Sequence, residues 1–214
     1  SFQTKLKLKF LELLENRRKE ELLIIFNSAI LSGLETFLEA TFSEKIKKEL
    51  LDPLNTKKSQ ITGNSIDVLT LYIKYVEDES NDFNYLLSIS PKVFDFTLNS
   101  LWDTLSQWMD SYLSFPLGNQ EGQKKSFELL SQFLGICEHK CTSVDSVLAI
   151  RNSPVTERIM AKLRLDLYTQ IISNQILTET NKLFNEPLKA DGSQYFLSFT
   201  EKFIEVYSNV YKPE

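Results

Sequence analysis

Apolar residues recur along this chain in steps of three and four, the spacing of one face of an α-helix. One row runs Leu23, Phe26, Ile30, Leu34, Phe37, Leu38. A second, starting near Asn64 or Ser65, carries Ile66, Leu69, Ile73 and Val76. A third carries Phe94, Leu98, Leu101, Trp102, Leu105, Trp108, Met109 and Tyr112, and a fourth runs from Phe127 to Cys141. The fifth carries Ile159, Leu163, Leu167 and Ile171, widened by Leu165, Tyr168, Ile172 and Ile176. The last carries Phe196, Phe199, Phe203, Val206 and Val210. Only Lys5 to Phe10 alternates like a strand, and it runs straight into Leu11, Leu13 and Leu14. A single strand without a partner is unstable, so this segment too is expected to be helix.

Boundary residues agree with these periods. Ser90-Pro91 and Ser153-Pro154 place a capping hydroxyl before a proline at the first helical position, a start signal. Asp52-Pro53, Phe115-Pro116 and Glu186-Pro187 read as stops, because the residue before proline avoids the α region. Loops are then expected at 53–63, 116–122 and 186–192. No internal repeat of fixed period is visible. The expected fold is all-α, with antiparallel helices joined by short loops in stacked bundles. The fifth and sixth rows cover more than half of their helices, which implies contact on two sides and a layered arrangement. Residues 1–214 are read as one helical region, with an internal division near 53–64 or 142–153.

Composition narrows the classes. The chain has 214 residues, a net charge of −5 and 42 % hydrophobic residues. That is enough for a sizeable core, and the acidic balance argues against general nucleic-acid binding. Three basic clusters (Arg17, Arg18, Lys19; Lys57, Lys58; Lys124, Lys125) read as solvated surface. The most apolar stretch, Leu22 to Leu34, is too short and too polar to span a bilayer and reads as a buried helix. The absence of an initiator methionine, with a helical pattern running by Lys5, gives the expectation of a piece of a longer polypeptide.

The search for chemistry comes back empty. Cys137 and Cys141 lie four apart on one helical face, a poor geometry for a disulfide, and read as buried thiols in a reducing compartment. With His139 between them they cannot complete a tetrahedral zinc site, and helix geometry points His139 away from both thiols. The six glycines are scattered, and no phosphate-cradling loop occurs. The acidic runs Glu77-Asp78-Glu79 and Glu20-Glu21 read as exposed helix ends. No catalytic, cofactor-binding or metal residues are therefore assigned, no cofactor is expected, and the chain is read as not an enzyme.

The last third adds a resemblance. Arg164-Leu165-Asp166-Leu167-Tyr168 through Asn174-Gln175-Ile176-Leu177, then Asn181-Lys182-Leu183-Phe184-Asn185-Glu186 and Gly192-Ser193-Gln194-Tyr195-Phe196, resembles the C-terminal end of the RINT/TIP family. Phe199, Phe203, Tyr207 and the closing Tyr211-Lys212-Pro213-Glu214 fit the family's final helix. The departures are Thr178 to Thr180 before Asn181, Leu183 before Phe184, Pro187 and Lys189 in place of a glycine-rich stretch, and Ser198 and Phe199 where an acid is expected. The resemblance implies a segment of a helical rod of the kind shared by exocyst, COG, GARP and Dsl tethering subunits. Such a subunit holds Golgi-derived vesicles near the endoplasmic reticulum, contacts SNAREs and sister subunits, and sits on the membrane only through partners. The alternative is a helical adaptor or GTPase-effector module that takes a partner helix in an apolar groove. Partner-contacting residues remain unassigned. The loop Pro187 to Gly192 and the outward face of the last helix are the nearest candidates, and Ile176, Leu177, Phe184, Phe199 and Phe203 read as packing positions.

Overall fold

The structure is a computed structural model that describes residues 2–56, 65–116, 119–185 and 204. The described residues are helices and turns with no strand, an all-α fold. In chain order the helices are α1 (Phe2–Glu15), α2 (Lys19–Ser32), α3 (Glu35–Ile46) and the short α4 (Asp52–Thr56). They are followed by α5 (Ser65–Glu77), α6 (Asp82–Ile89), α7 (Asp103–Tyr112) and α8 (Gln120–His139). The series ends with α9 (Val144–Arg151), α10 (Pro154–Lys162) and α11 (Leu165–Asn185). Two π-helical turns, Lys47–Leu51 and Thr97–Trp102, lead without a break into α4 and α7. The chain divides into two compact units, Ser1–Leu163 and Arg164–Glu214. That division lies beyond both expected positions, 53–64 and 142–153.

Several boundaries correct the sequence reading, each for a local reason. The row Leu23–Leu38 is two helices, because Gly33 adopts φ 63° and closes α2. Gly33 N–H donates to the Ile30 carbonyl and Leu34 N–H to that of Ala29, which satisfies the helix end. Leu22, Phe26 and Ala29 are buried, but Ile24 is 63 % and Leu31 88 % exposed, so α2 is amphipathic rather than a buried helix.

Asp52-Pro53 does not stop its helix. In the preceding π turn Asp52 N–H donates to the Lys47 carbonyl five residues back, and the chain passes Pro53 into α4. Ser90-Pro91 does not start one either: Ser90 ends α6, a helix the pattern missed, and Asp95 caps the next by accepting from Leu98 N–H at 2.9 Å. Ser153-Pro154 does start α10, with Ser153 Oγ accepting from Val155 N–H at 3.2 Å. Helix α8 begins inside the loop expected at 116–122, where Asn119 Oδ1 accepts from Gly122 N–H at 3.1 Å. Helix α9 was not anticipated. The fifth row breaks at Leu163, and Arg164 takes the left-handed region at φ 50°.

Core aromatics hold the first unit together. Phe26 lies 5.1 Å from Phe94 and 6.3 Å from Phe10, and Phe96 lies 5.4 Å from Phe94 and 5.8 Å from Phe42. These separations are those of favourable aromatic pairs. A second group joins Tyr72, Phe133 and Trp102 at 5.7 and 6.3 Å.

Two pairs of non-consecutive helices in this unit run in the same direction. Ser65 Oγ meets Ser126 Oγ at 2.8 Å and Tyr72 meets Phe133, so α5 and α8 ascend together. Glu39 meets Asn99 and Asn55 meets Trp108, so α3–α4 and the segment from Thr97 through α7 do the same. Helices two elements apart thus stack side by side.

In the second unit, α11 exposes Leu177 (60 %) and leaves Ile176 half-buried, so Leu177 is not a packing residue among the described contacts. The loops at 57–63 and 186–192, Lys57, Lys58, Phe199, the rest of the sixth row and the Pro187–Gly192 candidate lie outside the described residues, as does the side chain of Phe184.

Candidate functional site

An open cleft of about 690 Å³ lies in the first unit between α3, the Thr97–Trp102 turn with the start of α7, and the α9–α10 junction. One wall is the α3 face Thr36, Glu39, Ala40, Ser43, Glu44, which ends at Lys47 in the first π turn. The other wall carries Leu98, Asn99, Trp102, Asp103 and Ser106. Ala149, Ser153 and Val155 close it. Both π turns therefore border the cleft, a geometry that recurs at functional sites because it re-aims side chains without ending the helix.

At its floor sits Glu39, 4 % exposed. One carboxylate oxygen, Oε1, accepts from Asp95 N–H at 2.7 Å and the other, Oε2, from Asn99 Nδ2 at 3.0 Å. The Glu39 carbonyl accepts from Ser100 Oγ at 2.7 Å. Asp95 extends the network: its Oδ1 accepts from Leu98 N–H, and its Oδ2 from Thr142 Oγ1 at 3.3 Å and from Ser146 Oγ. Two buried carboxylates thus tie α3, the π turn and α9 together, and among the described residues no lysine or arginine pairs with either. Burial pushes the Glu39 carboxyl above the usual carboxylate range against the pull of its two donors, and Asp95 and Glu35 add to the rise.

A second polar cluster, on the α1–α2 corner, is built differently. Arg17, at φ 53°, donates Nη2 to the Ser80 carbonyl at 2.6 Å and Nη1 to that of Asn81 at 3.2 Å. It also pairs with Asp82 at 3.0 Å and lies 4.4 Å over the Tyr85 ring. Lys45, nearly buried, reaches Glu49 at 2.7 Å and Asp82 at 3.0 Å. Burial opposes the charge of Lys45, but these two carboxylates outweigh it and hold the amine above its ordinary value. Arg17, exposed like the rest of its basic cluster, is therefore also a clasp between two corners. Arg18, Lys19, Lys124 and Lys125 are exposed as expected.

The remaining sequence candidates fall apart. Cys137 is fully buried and free, and burial pushes its thiol far up. Cys141 lies past the end of α8, half-buried, with its thiol pushed up to about 12 chiefly by burial. Neither thiol is poised as a nucleophile. His139 is exposed, and among the described residues no group of three or more candidate ligands could hold a metal. Glu77, Asp78 and Glu79 are exposed; Asp78 accepts from Ser80 Oγ and N–H, and Glu79 pairs loosely with Lys140 at 3.6 Å. Glu20 is exposed and Glu21 partly so, in the first turn of α2. The sequence reading missed Glu39 and Asp95. A signal for Glu39 was present: it falls inside the apolar stripe Leu38, Phe42, Ile46, where an acid is out of place.

No known protein-family model matches the chain, and no curated protein or solved structure is significantly similar to it.

Proposed function

We propose that this chain is a non-catalytic structural and interaction segment of a vesicle-tethering subunit acting in Golgi-to-endoplasmic-reticulum transport. The observation that carries this reading is the layering of the first unit, where α5 lies along α8 and α3–α4 along α7 in the same direction. Such a stack presents long helical faces to protein partners. The resemblance of residues 164–214 to the RINT/TIP end supplies the specific assignment, and α11 spans its first part. On this reading the partners are SNAREs and sister subunits, and membrane association is peripheral, through them. Among the described residues no helix is long and apolar enough to cross a membrane, which is compatible with that placement.

The test is direct binding of the purified chain to a panel of SNARE cytosolic domains, followed by calorimetry on any hit. Micromolar binding to one SNARE class supports the reading. Failure with every SNARE and with the sister subunits of the known tethers would overturn it.

The second reading, a groove-binding adaptor, is favoured by the cleft at Glu39. Small-angle scattering separates the two. A radius of gyration well above about 17 Å, the value for a globule of this length, favours the tethering segment.

A further inference from the structure

The Glu39 cleft has the makings of a receptor for positive charge. A buried carboxylate costs free energy unless a cation or enough donors compensate it. Glu39 receives two donors, and a carboxylate offers roughly four lone-pair sites. Asp95, next in the same network, is likewise satisfied only by neutral donors. Elsewhere the fold supplies cations where carboxylates crowd: Asp82 faces both Arg17 and Lys45. At Glu39 it supplies none, and Glu39 lines open space.

The rim repeats the bias. Asp103 is exposed and its carboxylate accepts from the neutral Gln107 amide, while Glu44 is paired with Lys7 from outside the cleft. Lys47, at the far end of the α3 wall, is the single basic residue in the lining. Ala40, Ser43 and Ala149 leave room for a stem, and Leu98 and Val155 give it apolar walls, as a long basic side chain requires.

We propose that this cleft receives the arginine or lysine side chain of a protein partner, with Glu39 as its buried counter-charge. The proposal rests on the reading of the chain as a protein-interaction segment and names the chemistry of one contact. Charge complementarity of this kind selects the partner and fixes its register.

The whole chain, isotope-labelled, is titrated with N-acetyl-arginine methylamide, and amide shifts are followed by NMR. The neutral isostere N-acetyl-citrulline methylamide is the control. Saturable shifts confined to Ala40, Ser43, Asn99 and Trp102 are expected, weakened about tenfold with citrulline and about tenfold by Glu39→Gln. Asp103→Asn, on the exposed rim, should weaken binding a few-fold and keeps the test valid if the Glu39 variant misfolds. A peptide with one central arginine should bind at least about tenfold tighter than the amino-acid derivative. Equal binding of citrulline, or no saturation on the order of 50 mM, would overturn the proposal. A peptide no tighter than the free derivative would also overturn it, pointing to a small cation as occupant. SNARE binding lost while arginine binding persists sinks only the tethering assignment.

Discussion

The two polar clusters of the first unit both draw on α3, one through Glu39 and the other through Lys45, yet they are opposite devices. Around Asp82, every carboxylate at the contact meets a cation, and the cluster pins the Arg17 corner to the α5–α6 corner. Around Glu39, carboxylates meet backbone and side-chain donors alone, and the cluster lines a cleft. Polarity inside a helical stack thus takes two forms. Compensated charge fixes geometry, whereas uncompensated charge next to open space raises free energy that an outside group can lower.

Removing a cation from the compensated cluster should have the largest effect. Lys45→Met leaves Asp82 with Arg17 and takes the cation away from Glu49, and should cost about 3 kcal/mol in a urea melt. A loss under about 1 kcal/mol would mean that the two clusters do not differ in kind.

Arg17→Ala should cost about 2 kcal/mol, because two carbonyls and Asp82 lose a charged donor. Arg17→Gly loses the same bonds but relieves the backbone at φ 53°, so it should be about 1 kcal/mol more stable than Arg17→Ala. Equal melts for the two variants would show that the corner relaxes.

Glu39→Gln keeps the shape and should shift stability by less than about 1 kcal/mol at neutral pH. Its signature is in the pH dependence. The folded-state carboxyl sits above its ordinary value of 4.5, so the fold favours the protonated form. The wild type should therefore gain stability relative to the variant as pH falls from the raised value toward 4.5 and lose it again as pH rises. Parallel stability–pH curves for the two proteins would refute the assignment of Glu39 as an uncompensated charge.

The smallest effect belongs at the surface. Arg151 meets Glu138 with two bonds of 2.6 Å, but its side chain is 61 % exposed, and Arg151→Ala should leave the midpoint of a urea melt almost unchanged.

What the sequence disclosed depends on the range of the physics involved. Ser153 caps α10 as read, because a cap is a contact two or three residues long. The row at Ile66–Val76 became α5, and the row at Phe127–Cys141 became α8 as far as His139, because a buried stripe repeats within one helix. Gly33 was present in the sequence, but the apolar row continued in phase across it and hid the break. Pro53 misled because the π turn before it removes the conflict that ordinarily ends a helix. Arg17 and Asp95 could not be read at all: their partners lie 64 and 51 residues away, and no periodicity carries that information.

The paired π turns also constrain how this chain can change length. Each holds one residue more than an α turn would, so losing one residue there would tighten the turn to α geometry and leave the helix after it almost in register. After Lys47–Leu51, Leu54 would then keep its place on the core and Asn55 its place near Trp108. In Thr97–Trp102 the change would fall on the turn itself, whose Leu98, Asn99 and Trp102 line the cleft. Single-residue deletions should therefore be tolerated better at these two places than elsewhere in the same helices, each independently of the other.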